Sequence, residues 1–193
     1  MLISNEFEVA QPIDKVWEFF GDIPGVAACL PGAELSEDLG DGAYAGGVAI
    51  RMGPVKLEFA GKATIVERDD KTKRMLIDAA GADLKGRGQA SMTVTALLTA
   101  KGSGTTVRMD QDILLSGAAA QYGRGMISDV TKVLMGQFAD NAQRRIDALQ
   151  RGESLDGLTA KPASGLSIGL QAMRMALMRV FRRFFLPYQP NPS

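Results

Sequence analysis

GTTVRMDQDILLSGAAAQYGRGMISDVTKVLMGQF, Gly104 to Phe138, holds two hydrophobic periods in succession. Val107, Met109, Gln111, Ile113 and Leu115 recur every second residue, the repeat of a strand that buries one face. From about Ala118 the repeat lengthens, and Met126, Ile127, Val130, Leu134 and Phe138 share one face of a helix expected to run to about Gln150. The second half of that helix, NAQRRIDALQR, is polar and is expected to project past the sheet edge.

Upstream, the period of two dominates. Val55, Leu57, Phe59, Gly61, Ala63 and Ile65 alternate with Lys56, Glu58, Ala60, Lys62, Thr64 and Val66, giving one dry and one mostly wet face. Met75, Ile77 and Ala79 repeat the pattern, as do Ala90, Met92, Val94, Ala96 and Leu98. Asp69–Thr72 and Lys101–Gly104 read as hairpin turns between them. The strand ISNEFEVA comes first, followed by a helix PIDKVWEFF with Pro12 at its N1 position and a short helical or turn element over Asp22–Pro31. These signals predict an α+β fold for residues 1–151, a curved antiparallel sheet around one long C-terminal helix. Its inward positions mix Met52, Met75, Met92 and Met109 with Gly46, Ala63, Ala79, Gly81 and Ala90. Small side chains leave space, and methionines adapt to what fills it, so a sizeable apolar cavity opening near Tyr122 to Met126 is expected.

Past this domain the composition changes. Residues 152–165 read as a flexible linker and 166–186, LSIGLQAMRMALMRVFRRFFL, as a tethered amphipathic helix. Leu166, Leu170, Met173, Leu177, Val180, Phe181 and Phe184 fall on one face at 100° per residue. Arg179, Arg182 and Arg183 fall on the other, with Arg174 at the border. Four arginines would cost roughly 2.5–3.5 kcal/mol each in a transmembrane span, so an interfacial helix is the better reading. Docking on its own domain or on a second subunit is the alternative. Pro187, Pro190 and Pro192 end the helix, and 187–193 read as a Pro-rich disordered end.

Lys+Arg and Asp+Glu are both 22 in the 193 residues, but the balance hides a polarity. Lys161 and the four tail arginines give +5 after Asp156, which leaves the body with 17 bases against 22 acids. An acidic body argues against nucleic acid, and a basic tail fits an anionic leaflet. The chain has no histidine, which removes histidine-based zinc, haem and Ser-His-Asp chemistry. Cys29, the one cysteine, admits no intramolecular disulfide and, set among apolar residues, reads as a buried inert thiol. MLISNEFEVA lacks the basic and apolar regions of a signal peptide, so a reducing cytoplasm is expected.

Four blocks in register resemble the CoxG family, the G subunits of carbon monoxide dehydrogenase, within the START-like helix-grip (SRPBCC) superfamily: VWEFFGDIPGVAACLPGAELS (Val16–Ser36), MGPVKLEFAGKATI (Met52–Ile65), GRGQASM (Gly86–Met92) and GTTVRMDQDILLSGAAAQYGRGMISD (Gly104–Asp129). The Cys-Leu-Pro-Gly around Cys29 and the Gly-Pro-Val-Lys around Pro54 are their most specific marks. The resemblance implies a helix-grip fold with a deep apolar pocket between sheet and helix. It also implies association with a molybdenum-containing carbon monoxide dehydrogenase or a related molybdenum hydroxylase.

Trp17, Phe20, Leu30, Leu57, Phe59, Met92, Met109, Gln111, Tyr122, Arg124, Met126 and Val130 are the candidate ligand-lining residues. Gln111 is an amide in an inward, apolar register, and it must find either a backbone partner or a ligand carbonyl. Tyr122-Gly123-Arg124-Gly125 places two glycines early in the expected helix, for ligand approach or for close packing against Pro31-Gly32. Gly86-Arg87-Gly88 reads as a turn rather than a phosphate loop, since no helix and no GK[ST] ending follow. No metal or covalent cofactor is expected. A non-catalytic hydrophobic-ligand carrier is the leading reading, holding a bound quinone (menaquinone or ubiquinone) at the cytoplasmic face of the cell membrane and passing it to the dehydrogenase. A membrane-recruitment or assembly factor, and a helix-grip catalyst, are the rivals.

Overall fold

The computed structural model describes residues 1–52 and 55–155, so most of the expected linker, the amphipathic segment 166–186 and the Pro-rich end lie outside the described residues. Seven strands form the sheet: β1 (Leu2–Val9), β2 (Ala33–Gly40), β3 (Ala43–Met52), β4 (Val55–Asp69), β5 (Arg74–Asp83), β6 (Gln89–Lys101) and β7 (Gly104–Leu115). Hairpins join β2 through β7 in turn, and β1 adds to the edge of β7, giving the antiparallel order β1-β7-β6-β5-β4-β3-β2. Helices α1 (Ile13–Gly21) and α2 (Ile23–Cys29) bridge β1 to β2, and α3 (Arg124–Arg151) follows β7. The α+β architecture is as the periodicities predict, and it is the helix-grip arrangement that the resemblance implies.

Register assigns the faces. Ile3, Gln111, Val94, Ile77 and Ile65 stand opposite one another from β1 across to β4, and Ile113, Met92, Ala79 and Ala63 form the next row. Leu115, Ala90, Gly81, Gly61 and Gly46 form the row after that. All three rows look inward. A Cβ on Gly61 would stand 2.0 Å from the Ala80 carbonyl oxygen, so the Gly61–Gly81 pair lets β4 and β5 approach and bend where larger residues could not.

Pro12 sits at the N-cap of α1 rather than at N1. Its ψ of 146° is extended, and its carbonyl accepts from Lys15 and Val16 at 3.0 and 3.1 Å. Val16, Trp17, Phe19 and Phe20 point α1 into the core. In α2 the Asp22 carboxylate accepts from the Gly25 amide at 3.1 Å, a side-chain cap. The long helix begins at Arg124, later than its hydrophobic period indicates. Gly117 takes a left-handed φ of 66°, Gly117–Gln121 forms a 3-10 turn, and Gly123 with ψ 154° is the N-cap. The Tyr122–Gly125 stretch therefore starts the helix instead of lying within it. A Cβ on Gly123 would meet nothing within 4 Å, which rules out close packing there against Pro31-Gly32. At the other end Gly152, left-handed at φ 67°, stops α3. No helix among the described residues is long and apolar enough to cross a membrane.

Candidate functional site

The concave face carries two apolar cores, not one. The first gathers Val9, Trp17, Phe20, Leu98, Val107, Phe138 and Ile146 around α1 and the C-terminal half of α3, which packs on the body instead of projecting past the sheet edge because Ala142 and Ile146 give it a buried stripe. Phe7 and Phe20 meet Phe138 edge-on, at centroid distances of 5.8 and 6.3 Å. The second gathers Ile3, Leu57, Phe59, Ile127, Val130 and Leu134 around the N-terminal half of α3, with Tyr122 and Ala90 packed against it. Met135 touches both. Each large side chain so buried contributes roughly 1.5–3 kcal/mol.

Between the cores the wall is polar. Gln111 is 5% exposed, and its Nε2 has no hydrogen-bond partner. The Asn5 side chain, on β1, buries an Nδ2 with no partner either. Asn5 lies opposite Met109, and Gln111 opposite Ile3, so the two amides are diagonal neighbours on the inward face, about 7–8 Å apart. Native interiors rarely leave such donors empty, and an absent partner is the usual reason when they do. Two partnerless N–H donors thus stand diagonally on an otherwise apolar face, an arrangement able to serve a ligand that offers carbonyl oxygens.

The floor beside them is open. Met92 shares the inward face with Val94 and Ala96, yet it is 37% exposed against 8% and 1% for those neighbours. Ala63, Ala79, Gly81 and Ala90 around it are half-buried. Among the described residues, Ala63, Ala79, Gly81 and Ala90 are too small to fill this part of the concave face. The result is an apolar cleft, floored by small residues and Met92, with the second core and Tyr122 at one side.

The expected lining residues divide among these regions. Trp17, Phe20 and Leu30 belong to the first core. The Trp17 indole N–H donates to Asp70 at 2.6 Å, and Arg68 and Lys73 stand 4.9 and 5.7 Å from the ring centroid, so its polar edge serves the fold. Leu57, Phe59 and Val130 are buried in the second core, and Met109, half-buried, packs against the first. Met126 is 46% exposed at the start of α3. Arg124 is exposed and donates through Nη2 to the Leu2 carbonyl at 3.0 Å, which holds the helix start against β1. Sequence reasoning missed Asn5, although its alternation with Ile3, Phe7 and Val9 marks it as inward in the same way as Gln111.

Two hollows of measurable volume lie elsewhere on the sheet. One of about 440 Å³ is bounded mainly by convex-face residues, including Lys62, Asp78, Ser91 and Leu114, and also by Ala79 and Met92. One of about 370 Å³ sits at the Gly86-Arg87-Gly88 turn. In that turn Arg87 Nε and Nη2 grip the Asp83 carboxylate at 2.8 Å, while Nη2 also donates to the Lys56 carbonyl. The Arg87 guanidinium, joined by the amides of Glu58, Arg87 and Lys85, holds the Asp83 carboxyl well below the usual carboxylate range. This is a turn lock, as the motif's context predicts. Cys29 is fully buried, and burial pushes its thiol up to about 11, against the opposing pull of Arg145.

The fold recurs in solved structures. A conserved protein from Geobacillus kaustophilus matches with TM-score 0.68 at 20% identity, over 76% of this chain and 95% of its own. A protein from Thermus thermophilus matches at 0.57 and 14%, over 77% and 99%. Norcoclaurine synthase from Thalictrum flavum matches at 0.51 and 16%, over 76% and 86%. These identities speak to the fold alone. No curated protein matches the sequence. The model of one family, the carbon monoxide dehydrogenase G subunit (CoxG), matches residues 6–147, from the middle of β1 through nearly all of α3, and the chain belongs to that family.

Proposed function

We propose that this protein is a non-catalytic carrier that binds a respiratory quinone, menaquinone or ubiquinone, in the cleft and presents it to a molybdenum carbon monoxide dehydrogenase or a related hydroxylase. The single observation that carries the reading is the pair of buried, unpartnered amide donors, Asn5 Nδ2 and Gln111 Nε2, beside an apolar floor. A quinone ring needs a flat apolar slot with donors for its carbonyls, and its prenyl chain needs further apolar length. Met92 and the small residues around it offer the second, and the amides the first. Family membership supports the dehydrogenase as partner. The sequence of 166–186 supports attachment at the cytoplasmic face of the membrane, where the quinone pool lies.

Solvent extraction and mass spectrometry of the purified full chain tests the ligand, with an isoprenoid quinone expected at near-stoichiometric amount. An Ala90→Phe variant narrows the floor beside the second core and is expected to lose it, with overpacking costing about 1–3 kcal/mol of stability. That variant, shown folded and still vesicle-bound, should leave dye-coupled carbon monoxide oxidation intact while abolishing gas-driven oxygen uptake in cells. Oxygen uptake that survives an empty cleft favours plain membrane recruitment. Truncation after Lys161 is expected to abolish co-sedimentation with liposomes, and equal pelleting of both chains defeats the membrane role of the tail.

A further inference from the structure

Among the described residues, the three most exposed large apolar side chains share one end of the body with an excess of bases. The start of β1, the end of β7, the start of β6, the end of β5, the start of β4 and the end of β3 all meet there, as the strand registers require. Four large apolar side chains stand in water at this end: Leu84 and Leu114 at 70% exposure, Leu2 at 58% and Met126 at 46%. Leu84 follows β5, Leu2 and Leu114 share the outward face of β1 and β7, and Met126 lies one turn into α3, close to the Arg124–Leu2 hydrogen bond. None of these four is needed to cover a core.

The same end is cationic. Arg51, Lys56, Lys85, Arg87 and Arg124 gather there against Glu58, Asp83 and Asp112. Lys56 pairs with Glu58, Arg87 with Asp83 and the N-terminal ammonium with Asp112, which leaves Arg51, Lys85 and Arg124, all exposed, as its net positive charge. At the far end, built from the β2–β3, β4–β5 and β6–β7 turns with α1, Lys15, Arg68, Lys73, Arg74 and Lys101 are each paired with an acid, and Glu37, Asp38, Asp41 and Asp69 outnumber the remaining Lys71, so the acidic body is polarised along its strands. Exposed apolar side chains ringed by bases, on a molecule that is acidic elsewhere, match an anionic bilayer in both chemistry and sign.

We propose that this end of the body is itself a membrane-docking face: Leu2, Leu84, Leu114 and Met126 enter the headgroup region of an anionic leaflet while Arg51, Lys85 and Arg124 meet its phosphates. The face adjoins the second core and Tyr122, so docking would turn that side of the cleft toward the lipid. The inference rests on the membrane association proposed above but not on any ligand in the cleft.

Nitroxide labels on the full chain test it, one at a time, at Leu84→Cys and Leu114→Cys on this end and at Lys71→Cys and Ser103→Cys in the far turns. Buried Cys29 stays unlabelled. With vesicles of phosphatidylglycerol and phosphatidylcholine, collisions of the labels at 84 and 114 with a water-soluble nickel chelate should fall several-fold, and those at 71 and 103 should not change. Binding to the vesicles with all four labels still wet overturns the docking face and leaves the tail as the sole anchor. No binding at all overturns both readings. Labels at 84 and 114 that are shielded before vesicles are added also overturn the proposal, because they show this chain's own tail or a second copy covering the end. Separately, Arg51→Gln/Lys85→Gln should lower partitioning onto the anionic vesicles by roughly 30-fold. Unchanged partitioning of that variant refutes the electrostatic half of the proposal.

Discussion

Gln111→Met is the most direct probe of the cleft, because its two expected effects have opposite signs. Methionine has nearly the length and volume of glutamine and is a tolerated filler of irregular apolar space. It removes the Nε2 donor that lies buried without a partner. An unpaired buried donor costs about 1–3 kcal/mol, so the ligand-free variant should be more stable than the ligand-free parent by roughly that amount. For a domain of this size each kcal/mol moves Tm by about 2–4 °C. Ligand affinity should move the other way. Losing one hydrogen bond to a neutral carbonyl costs about 0.5–1.5 kcal/mol, or roughly a 2- to 13-fold weaker Kd. The assay is urea and thermal unfolding of delipidated protein, beside titration with a short-chain naphthoquinone. A delipidated variant less stable than its parent refutes the reasoning, since it would show that the amide is already satisfied within the protein.

Asp83→Asn should destabilise the protein at pH 6 by unlocking the 86–88 turn, and the gap should close in acid. The carboxylate is held low in the folded state, so its contribution is complete above the unfolded value of about 3.9 and fades as pH falls below it; urea midpoints whose gap is the same at pH 6 and pH 3 contradict this. Gly61→Val forces a Cβ to within 2.0 Å of the Ala80 carbonyl oxygen, and differential scanning calorimetry should show a loss of about 1–3 kcal/mol, with an unchanged Tm telling against the close approach. Asp70→Ala removes the acceptor of the Trp17 indole, which should lower stability by about 0.5–1.5 kcal/mol and alter the emission of this sole tryptophan; an unaltered spectrum would show that the bond is not formed in solution.

The faces of the strands were legible because they depend only on parity. Val94, Ala96 and Leu98 alternate with Thr95 and Leu97, and the observed burial follows that alternation residue by residue. The start of α3 was harder to see. Ala118, Ala119 and Ala120 favour a helix, but the left-handed φ of Gly117 and the extended ψ of Gly123 confine them to one tight turn. Glycine conformation is fixed by neighbours distant in sequence: a Cβ on Gly117 would lie 1.9 Å from the Arg87 carbonyl oxygen. The division of the lining residues was not legible either. Trp17 and Phe59 are both inward and apolar, and which core each joins depends on the line α3 takes across the sheet. That line is set by contacts such as Arg124 to Leu2, 122 residues apart.

Asn5 and Gln111 were equally visible as inward amides, but only the geometry shows that they adjoin and that both donors are empty. Two such donors at about 1–3 kcal/mol each are a substantial share of the roughly 5–15 kcal/mol by which a domain is usually stable. The open floor at Met92 adds apolar surface left in water. A chain under no demand but stability would fill the floor and make both positions apolar. A ligand that accepts from both amides and covers Met92 offsets both terms at once, and it stabilises by mass action as its concentration exceeds Kd. The advantage of Gln111→Met in the empty protein should therefore shrink as quinone is added and reverse once the ligand is far above the parent's Kd, where the tighter binder gains the more. Melting curves taken across a quinone titration should cross. Parallel curves would mean that ligand and amide act independently, and that the cleft serves some occupant which the Gln111 amide does not recognise.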